Sequence, residues 1–492
     1  MPVQRIPCSL LLTAARGTTV GLLKSLTRAG LDGETFTYDG YGAPLTMLAT
    51  YNGAAKGGLT LTFDALTGQV QTKAEAWAFA PISPPTKTWT YTYDSANRLE
   101  SANDGAARTY TYDANGNRAG STVDAQDRVT SQTDNGITTT YTYDAHGNVL
   151  VRAVTGVPTQ SFTWDSEGSL LSVSRPPSAT VTYVIDALGR RVGRKLGGVL
   201  NREWVYDGQL RIVGEYLGTK VRLYGYLPER HLPVMMVEKD GATTKTYRIY
   251  GDHLGSLRAV VDVATGNAVQ VMQHDPWGKA TTDTLSGGFV RVPFGFAGGI
   301  YDEDTKLVRF GAREYDPETG RWLSKDEARF GGGWNFYEYA AGDPANKVDP
   351  TGFLDGTFDV GAEIAKGALR NGLKGSVAGA AGEGLAGAAA GIGIGGYLYC
   401  LLVDCGNGPL GDYPAADEGP EEGGAPDTAG DADGDAGVCK APSREGEICR
   451  ENCVRQHRGL YDQCSSQRGK LKQKRCYEYA STILAECSAT CQ

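Results

Sequence analysis

Aromatic residues alternate with threonine in a short block that recurs along the first part of the chain and ends each time on aspartate. The copies are Tyr91-Thr-Tyr93-Asp94, Tyr110-Thr-Tyr112-Asp113, Tyr141-Thr-Tyr143-Asp144, Phe162-Thr-Trp164-Asp165, Tyr183-Val-Ile185-Asp186 and Val205-Tyr206-Asp207. Asp124 opens a degenerate copy, and Asp144, Asp165, Asp186 and Asp207 follow one another every 21 residues. Alternation with period two predicts a strand that is buried on one face. The aspartate predicts a turn, because its carboxylate can accept from nearby backbone N–H groups. Asn115-Gly116-Asn117, His146-Gly147-Asn148 and Leu188-Gly189-Arg190 follow three of the aspartates, and glycine there supplies positive φ. A fixed period predicts an array in which each hairpin buries its face against the next. The alternative is an ordinary all-β domain with frequent turns.

These blocks resemble the YD repeats of the RHS family. The resemblance implies a β-sheet spiral that wraps around an enclosed cargo. The repeat covers only about 200 residues, so the expectation is either a fragment of a longer shell or a partial, open sheet whose exposed edges need a partner. A second set of motifs resembles the RHS-associated core. It runs from Tyr250-Gly-Asp252-His253-Leu254-Gly255-Ser256 through Asp275-Pro-Trp277-Gly278 and Phe294-Gly-Phe296-Ala297-Gly298. It continues in Arg313-Glu-Tyr315-Asp316-Pro317-Glu-Thr-Gly320-Arg321-Trp322-Leu323-Ser324 and Asn335-Phe-Tyr337-Glu-Tyr339, and closes on Asn346-Lys-Val-Asp349-Pro350-Thr-Gly352.

Many members of the family cut themselves just after this core with paired aspartates and an arginine. By motif the resemblance places those roles on Asp326, Asp349 and Arg313, with the cut between Phe353 and Leu354. Two neighbouring carboxylates share a proton, so one can act as base and the other as acid. The family's first aspartate stands in Asp-Pro-x-Gly, whereas Asp326 is followed by Glu327-Ala328-Arg329; the second copy at Asp349 is intact. The competing reading makes both aspartates turn caps in the plug of the shell. His253 and His274 have no second histidine or cysteine at metal-ligand spacing and are read as structural. No cofactor or metal is expected.

Beyond the core the composition changes. Gly375, Gly379, Gly387, Gly391 and Gly395 stand at multiples of four, and Leu385 to Val403 carries no charge. That stretch reads as membrane contact through 375–403 or, equally, as a loosely packed helical hairpin inside the shell. From 404 to 437 there are ten acidic residues and no basic one; this is an acidic linker. Asp431, Asp433 and Asp435 lack the later Glu of a calcium loop. From 438 to 492 ten Lys or Arg face six Asp or Glu. Lys470, Lys472, Lys474 and Arg475 could meet an anionic surface or nucleic acid but fit a solvated loop better.

Nine of the ten cysteines lie at or beyond Cys400. Six of them are placed symmetrically about Lys470. Spacings of 4 and 11 keep cysteines on one helical face. The symmetry predicts an antiparallel α-hairpin with nested disulfides Cys449–Cys491, Cys453–Cys487 and Cys464–Cys476, in an oxidising compartment. Cys8, Cys400, Cys405 and Cys439 stay unassigned.

The divisions that follow are an irregular lead-in over 1–35, the repeat array over 36–240, the core over 241–353, a Gly/Ala-rich helical segment over 354–403, the linker over 404–437 and the cysteine-rich hairpin over 438–492. The fold class is mainly β with a small α-helical end. The net charge of −9 argues against nucleic acid as the partner of the carrier region. The expected function is a secreted or cell-surface polymorphic protein whose carrier releases a C-terminal effector or toxin, with an immunity protein or a secretion-system component as partner. The alternative is an uncleaved surface structural or adhesion protein with a stapled interaction module.

Overall fold

The computed structural model describes residues 12–353, apart from short gaps within 17–31 and at 135, 228–229 and 329–332, together with the short strand Phe358–Asp359. These all belong to the first of two compact units, Met1–Val403. The linker, the cysteine-rich hairpin and nearly all of 354–403 lie outside the described residues.

One unit of the array shows how the sequence makes the fold. The strand Lys87–Tyr93 pairs antiparallel with Leu99–Asn103. Tyr91 points inward and is buried, while Thr92 faces out and its hydroxyl meets Ser101 Oγ at 2.7 Å. The same outward pairing joins Thr37 to Thr46, Thr62 to Thr72 and Thr163 to Ser172. Asp94 then closes the turn. Its Oδ1 accepts from the N–H groups of Ala96 and Arg98, both at 2.9 Å, and its own N–H donates to the Arg98 carbonyl. Asp113, Asp124, Asp165 and Asp186 repeat this pair of side-chain bonds.

The second ring of each block does something different. Tyr93 Oη donates to the Val70 carbonyl of the preceding hairpin at 2.7 Å. Tyr112 reaches Leu99, Tyr143 reaches Val129, Trp164 reaches Val149 and Tyr206 reaches Arg191 in the same way. A phenylalanine could fill that space but could not make the bond, so tyrosine or tryptophan is favoured at this position. Pairing also slips by one residue at this ring: between Thr92 and Tyr93, Thr142 and Tyr143, Thr163 and Trp164, and Val205 and Tyr206. A bulge at the same place in each unit adds twist each time, and the sheet curls.

Repetition gives two long antiparallel meanders, one of nine strands and one of sixteen, each with every strand beside its sequence neighbours. The segment between them keeps the pattern going through a Tyr112–Arg118 bridge and a bond from Ala119 N–H to the Thr111 carbonyl. The sixteen-stranded sheet runs from Ser121–Val123 to Ala280–Leu285. It passes the line drawn at 240/241 within the hairpin of Met235–Asp240 and Thr243–Gly251, so the sheet is continuous there. The turn at Asp252, with Leu254 and Ser256 N–H on its Oδ1, is built like those of the array.

Within the irregular lead-in expected over 1–35, the described residues form paired strands instead. Leu12–Arg16 pairs with Leu23–Arg28, which pairs with Asp32–Tyr38. Leu23 and Leu26 are buried in the same core as Phe36 and Tyr91. Leu12–Arg16 and Leu23–Arg28 lack the aromatic–Thr–aromatic block, which first stands as Phe36-Thr37-Tyr38 in the third of these strands, ahead of Asp39.

Residues 289–349 pack against the inner faces of both sheets. Phe296, Phe310, Tyr315, Trp322 and Tyr339 form one aromatic nest with residues of the sixteen-stranded sheet, and the Tyr315 and Tyr339 rings lie 4.4 Å apart. Ala345 joins the core of the nine-stranded sheet, and Leu307 and Leu323 join that of strands Val129–Asp134 to Ser178–Ile185. Buried ion pairs fasten this segment in place, among them Arg152–Asp316 at 2.8 Å and Arg191–Glu314 at 2.7 Å.

Candidate active site

The strands Val308–Phe310 and Arg313–Asp316 form a hairpin through Gly311 and Ala312. The turn Asp349-Pro350-Thr351-Gly352 packs against it: Ala312 N–H donates to the Thr351 carbonyl at 3.0 Å. Gly352 has φ +66, and a Cβ there would overlap the Phe310 carbonyl. The glycine of Asp-Pro-x-Gly is therefore required twice, by conformation and by space.

Arg313 is the centre of the site. One of its terminal nitrogens, Nη2, lies 2.8 Å from Asp326 Oδ2 and 3.3 Å from Asp349 Oδ2. Its Nε donates to the Gly352 carbonyl, and Nη1 donates to the Phe336 carbonyl at 3.3 Å. The guanidinium sits 4.2 Å from the centroid of the Trp322 ring. Trp322 thus gives the cation an apolar floor and a π face. All three charged residues are almost wholly buried, at 3%, 5% and 1% exposure for Arg313, Asp326 and Asp349. The two carboxylate oxygens share one nitrogen, so they are within about 6 Å of each other.

The two carboxylates differ in surroundings. Asp326 Oδ1 accepts from the Ala328 N–H at 2.8 Å. Asp349 Oδ1 accepts from the Gly352 N–H at 2.9 Å and lies 3.1 Å from Thr351 Oγ1. Burial pushes the Asp349 carboxyl above its usual value, and the charge of Asp326 adds to this against the pull of Arg313. Burial also lowers the Arg313 guanidinium. Such a pair, with one member holding its proton longer, can move protons to and from a reacting carbonyl and water.

The structure brings together all three residues that the motif singled out, Arg313, Asp326 and Asp349, and sets Phe353 directly after them. Leu354 and the six paired cysteines, Cys449, Cys453, Cys464, Cys476, Cys487 and Cys491, lie outside the described residues. Two residues were given no role by the sequence reading. Trp322 supports Arg313, and Thr351 touches both Asp349 and Phe353. Thr351 stands at the variable position of Asp-Pro-x-Gly, where only its hydroxyl could have drawn notice.

The two histidines lie elsewhere, in a buried ionic cluster. His253 Nε2 is 2.9 Å from the Ala345 carbonyl, and His274 Nδ1 is 3.1 Å from Arg258 Nη1. Arg258 in turn binds both oxygens of Glu75 and Asp252 Oδ2. Arg258 and Lys73 hold the Glu75 carboxyl down to about 2 despite burial. The cluster ties the nine-stranded sheet to the sixteen-stranded one. Among the described residues no group of three or more His, Cys, Asp or Glu could hold a metal.

The Teneurin YD-shell model matches residues 29–342, well over half the chain. The chain belongs to this family. The match covers the nine-stranded sheet from Asp32–Tyr38 onward, the whole sixteen-stranded sheet and most of the segment 289–349, and ends before Asp349. Similar curated proteins include the double-stranded DNA deaminase toxin A of Burkholderia cenocepacia, 32% identical over 41% of this chain and 16% of that protein. The tRNA nuclease WapA of Bacillus subtilis is 29% identical over 53% of this chain and 12% of its own length. Teneurin-3 of Mus musculus is 30% identical over 39% of this chain and 7% of that protein. This YD-shell chain thus spans a small part of the curated relatives it matches. A solved structure described as "Crystal Structure of TcdB2-TccC3-TEV" aligns over 70% of this chain and 19% of its own, at 17% identity and a TM-score of 0.47.

Proposed function

We propose that this YD-shell chain is part of a polymorphic-toxin carrier whose core cuts the chain between Phe353 and Leu354 and frees a variable C-terminal effector. The observation that carries the cleavage reading is the seating of the Asp326 and Asp349 carboxylates on one nitrogen of Arg313, in a buried site that also grips the Gly352 carbonyl. Asp326 serves as base toward water. Asp349, the carboxyl displaced upward, serves as acid. The water oxygen bonds to the Phe353 carbonyl carbon and its proton passes to Asp326. The carbonyl oxygen is protonated at the expense of Asp349. When the intermediate collapses, the C–N bond breaks, the proton on Asp326 leaves with the Leu354 amine, and a hydroxyl proton of the intermediate returns to Asp349 as the Phe353 carboxyl forms. Arg313 holds the segment and keeps the two carboxylates at working distance.

Relatives named as a deaminase toxin and a tRNA nuclease support the carrier reading, and with it an immunity protein or secretion component as partner and a secreted or cell-surface location. The nested disulfides Cys449–Cys491, Cys453–Cys487 and Cys464–Cys476 remain part of this reading, on the symmetry of the cysteines alone. Non-reducing peptide mapping decides it, and a Cys449–Cys453 bond would sink it.

The uncleaved surface protein is favoured by one observation, the replacement of Pro-x-Gly after Asp326 by Glu327-Ala328-Arg329. Mass spectrometry of the purified full chain separates the two. Cleavage gives a break between Phe353 and Leu354 that Asp349→Asn abolishes, since an amide cannot exchange the proton. A wild-type chain that stays at full length overturns the cleavage reading.

A further inference from the structure

The Thr351 side chain lies between a carboxylate of the pair and the carbonyl that would be attacked. Its Oγ1 lies 3.1 Å from Asp349 Oδ1 and 3.4 Å from the Phe353 carbonyl oxygen, and it accepts from the Phe353 N–H at 3.2 Å. A hydroxyl has one proton to give and two lone pairs to receive with. One lone pair is taken by the Phe353 N–H. The remaining lone pair and the proton face Asp349 and the Phe353 oxygen, and the state of Asp349 decides which goes where.

When Asp349 is ionised, its Oδ1 can only accept, so the Thr351 proton turns toward it and the Phe353 oxygen is left without this donor. When Asp349 is protonated, Oδ1–H can donate to Thr351 Oγ1. The hydroxyl then accepts twice and donates once, and its proton points at the Phe353 oxygen. Oδ1 still accepts from the Gly352 N–H at 2.9 Å in either state. The backbone of the turn is thereby fixed while one proton switches direction.

We propose that Thr351 is a catalytic residue of the cleavage reaction, donating to the oxyanion that forms on the Phe353 carbonyl and passing it the proton that Asp349 supplies. The inference rests on the cleavage reading. The step balances: as water adds to the carbonyl carbon, the Thr351 proton moves to the carbonyl oxygen and the Asp349 proton moves to Oγ1. Asp349 ends ionised, Asp326 ends protonated, and Thr351 is unchanged. The groups acting on Asp349 fit this use. Burial and the charge of Asp326 favour its protonated form, Arg313 and the hydrogen bonds from Thr351 and the Gly352 N–H oppose them, and Tyr339 is its uncharged neighbour. A plain turn-stabilising role would need only the bond from the Phe353 N–H to Oγ1.

The test follows cleavage of the full chain made by cell-free translation. The chain is pulse-labelled, synthesis is stopped, and samples are moved to buffers from pH 5 to 9 while the C-terminal fragment is measured on gels. The chains are wild type, Thr351→Val, which keeps the shape and loses the hydroxyl, and Thr351→Ser, which keeps the hydroxyl. Removing an oxyanion donor slows reactions by about 100-fold or more, and Thr351→Val is expected to slow cleavage by that order. Thr351→Ser should stay within a few-fold of wild type. The wild-type rate should rise as Asp349 gains its proton, and the residue left in Thr351→Val should lose that rise. Trypsin resistance of the shell checks folding, and Thr351→Ala carries the same expectation if the valine variant misfolds. A valine variant that cuts as fast as wild type overturns the role of Thr351 while leaving self-cleavage intact. A slowed variant that keeps the wild-type pH profile also overturns it, because a structural role would do that. A wild-type chain that never cuts removes the cleavage reading itself.

Discussion

Replacing Arg313 by Gln tests the electrostatic design of the site directly. The arginine is the only cation bridging the buried carboxylates of Asp326 and Asp349 among their described ion pairs. It also binds the Gly352 and Phe336 carbonyls. Removing one partner from a buried ion pair costs about 3–5 kcal/mol, because the charge left behind has lost its solvent and its partner. Glutamine keeps an amide donor, so the lower part of that range is expected at pH 8. For a unit of this length the loss lowers the melting temperature by about 5 °C. The pH dependence is the sharper criterion. Without the cation, two close carboxylates cannot both stay ionised, and one binds a proton in the fold. A carboxyl whose folded pKa is raised above its unfolded value favours the fold at low pH and loses that contribution as pH rises through the folded pKa. The variant should therefore recover toward wild type between pH 8 and pH 5, at up to about 1.4 kcal/mol per pH unit. Tryptophan emission follows the melt, since Trp322 lies beneath the guanidinium. A variant that melts within a degree of wild type at pH 8, or a deficit that grows on acidification, would refute the reasoning.

His274 sits neutral in the ionic cluster, pushed down to about 3 by burial first and then by Arg258 and Lys73, against Asp252 and Glu75. Its stabilising contribution is present above the unfolded value near 6.5 and is lost as pH falls, because only the unfolded chain takes up the proton; by pH 5 this amounts to about 2 kcal/mol. Urea midpoints at pH 7 and pH 5 should fall further for wild type than for His274→Gln, and equal falls would exclude the effect. Gly352→Ala places a Cβ against the Phe310 carbonyl at φ +66. The expected loss is about 1–3 kcal/mol with slowed cleavage, and an alanine chain with the wild-type melting point would show that the turn yields easily.

The sequence alone determined the repeating unit. Inward ring, outward threonine and turn-closing aspartate all act within about eight residues, so alternation and turn chemistry specify the hairpin without reference to the rest of the chain. It also determined which aspartates and arginine to watch, through the Asp-Pro-x-Gly motif at Asp349 and its degenerate partner at Asp326. Tertiary structure decided what those residues meet. Arg313 lies 13 residues from Asp326 and 36 from Asp349, and only the packing of the Asp349 turn onto the Val308–Phe310 hairpin brings them onto one guanidinium. Glu314 and Asp316 were given no role by the sequence reading, yet they are buried and paired with Arg191 and Arg152 of the sheet. The strands Leu12–Arg16 and Leu23–Arg28 were invisible for the opposite reason: without the aromatic block, their pairing depends on a neighbouring sheet edge already being there. Local hydrogen bonds and side-chain alternation are written in consecutive residues, whereas a buried charge acquires its partner only when distant segments close over it.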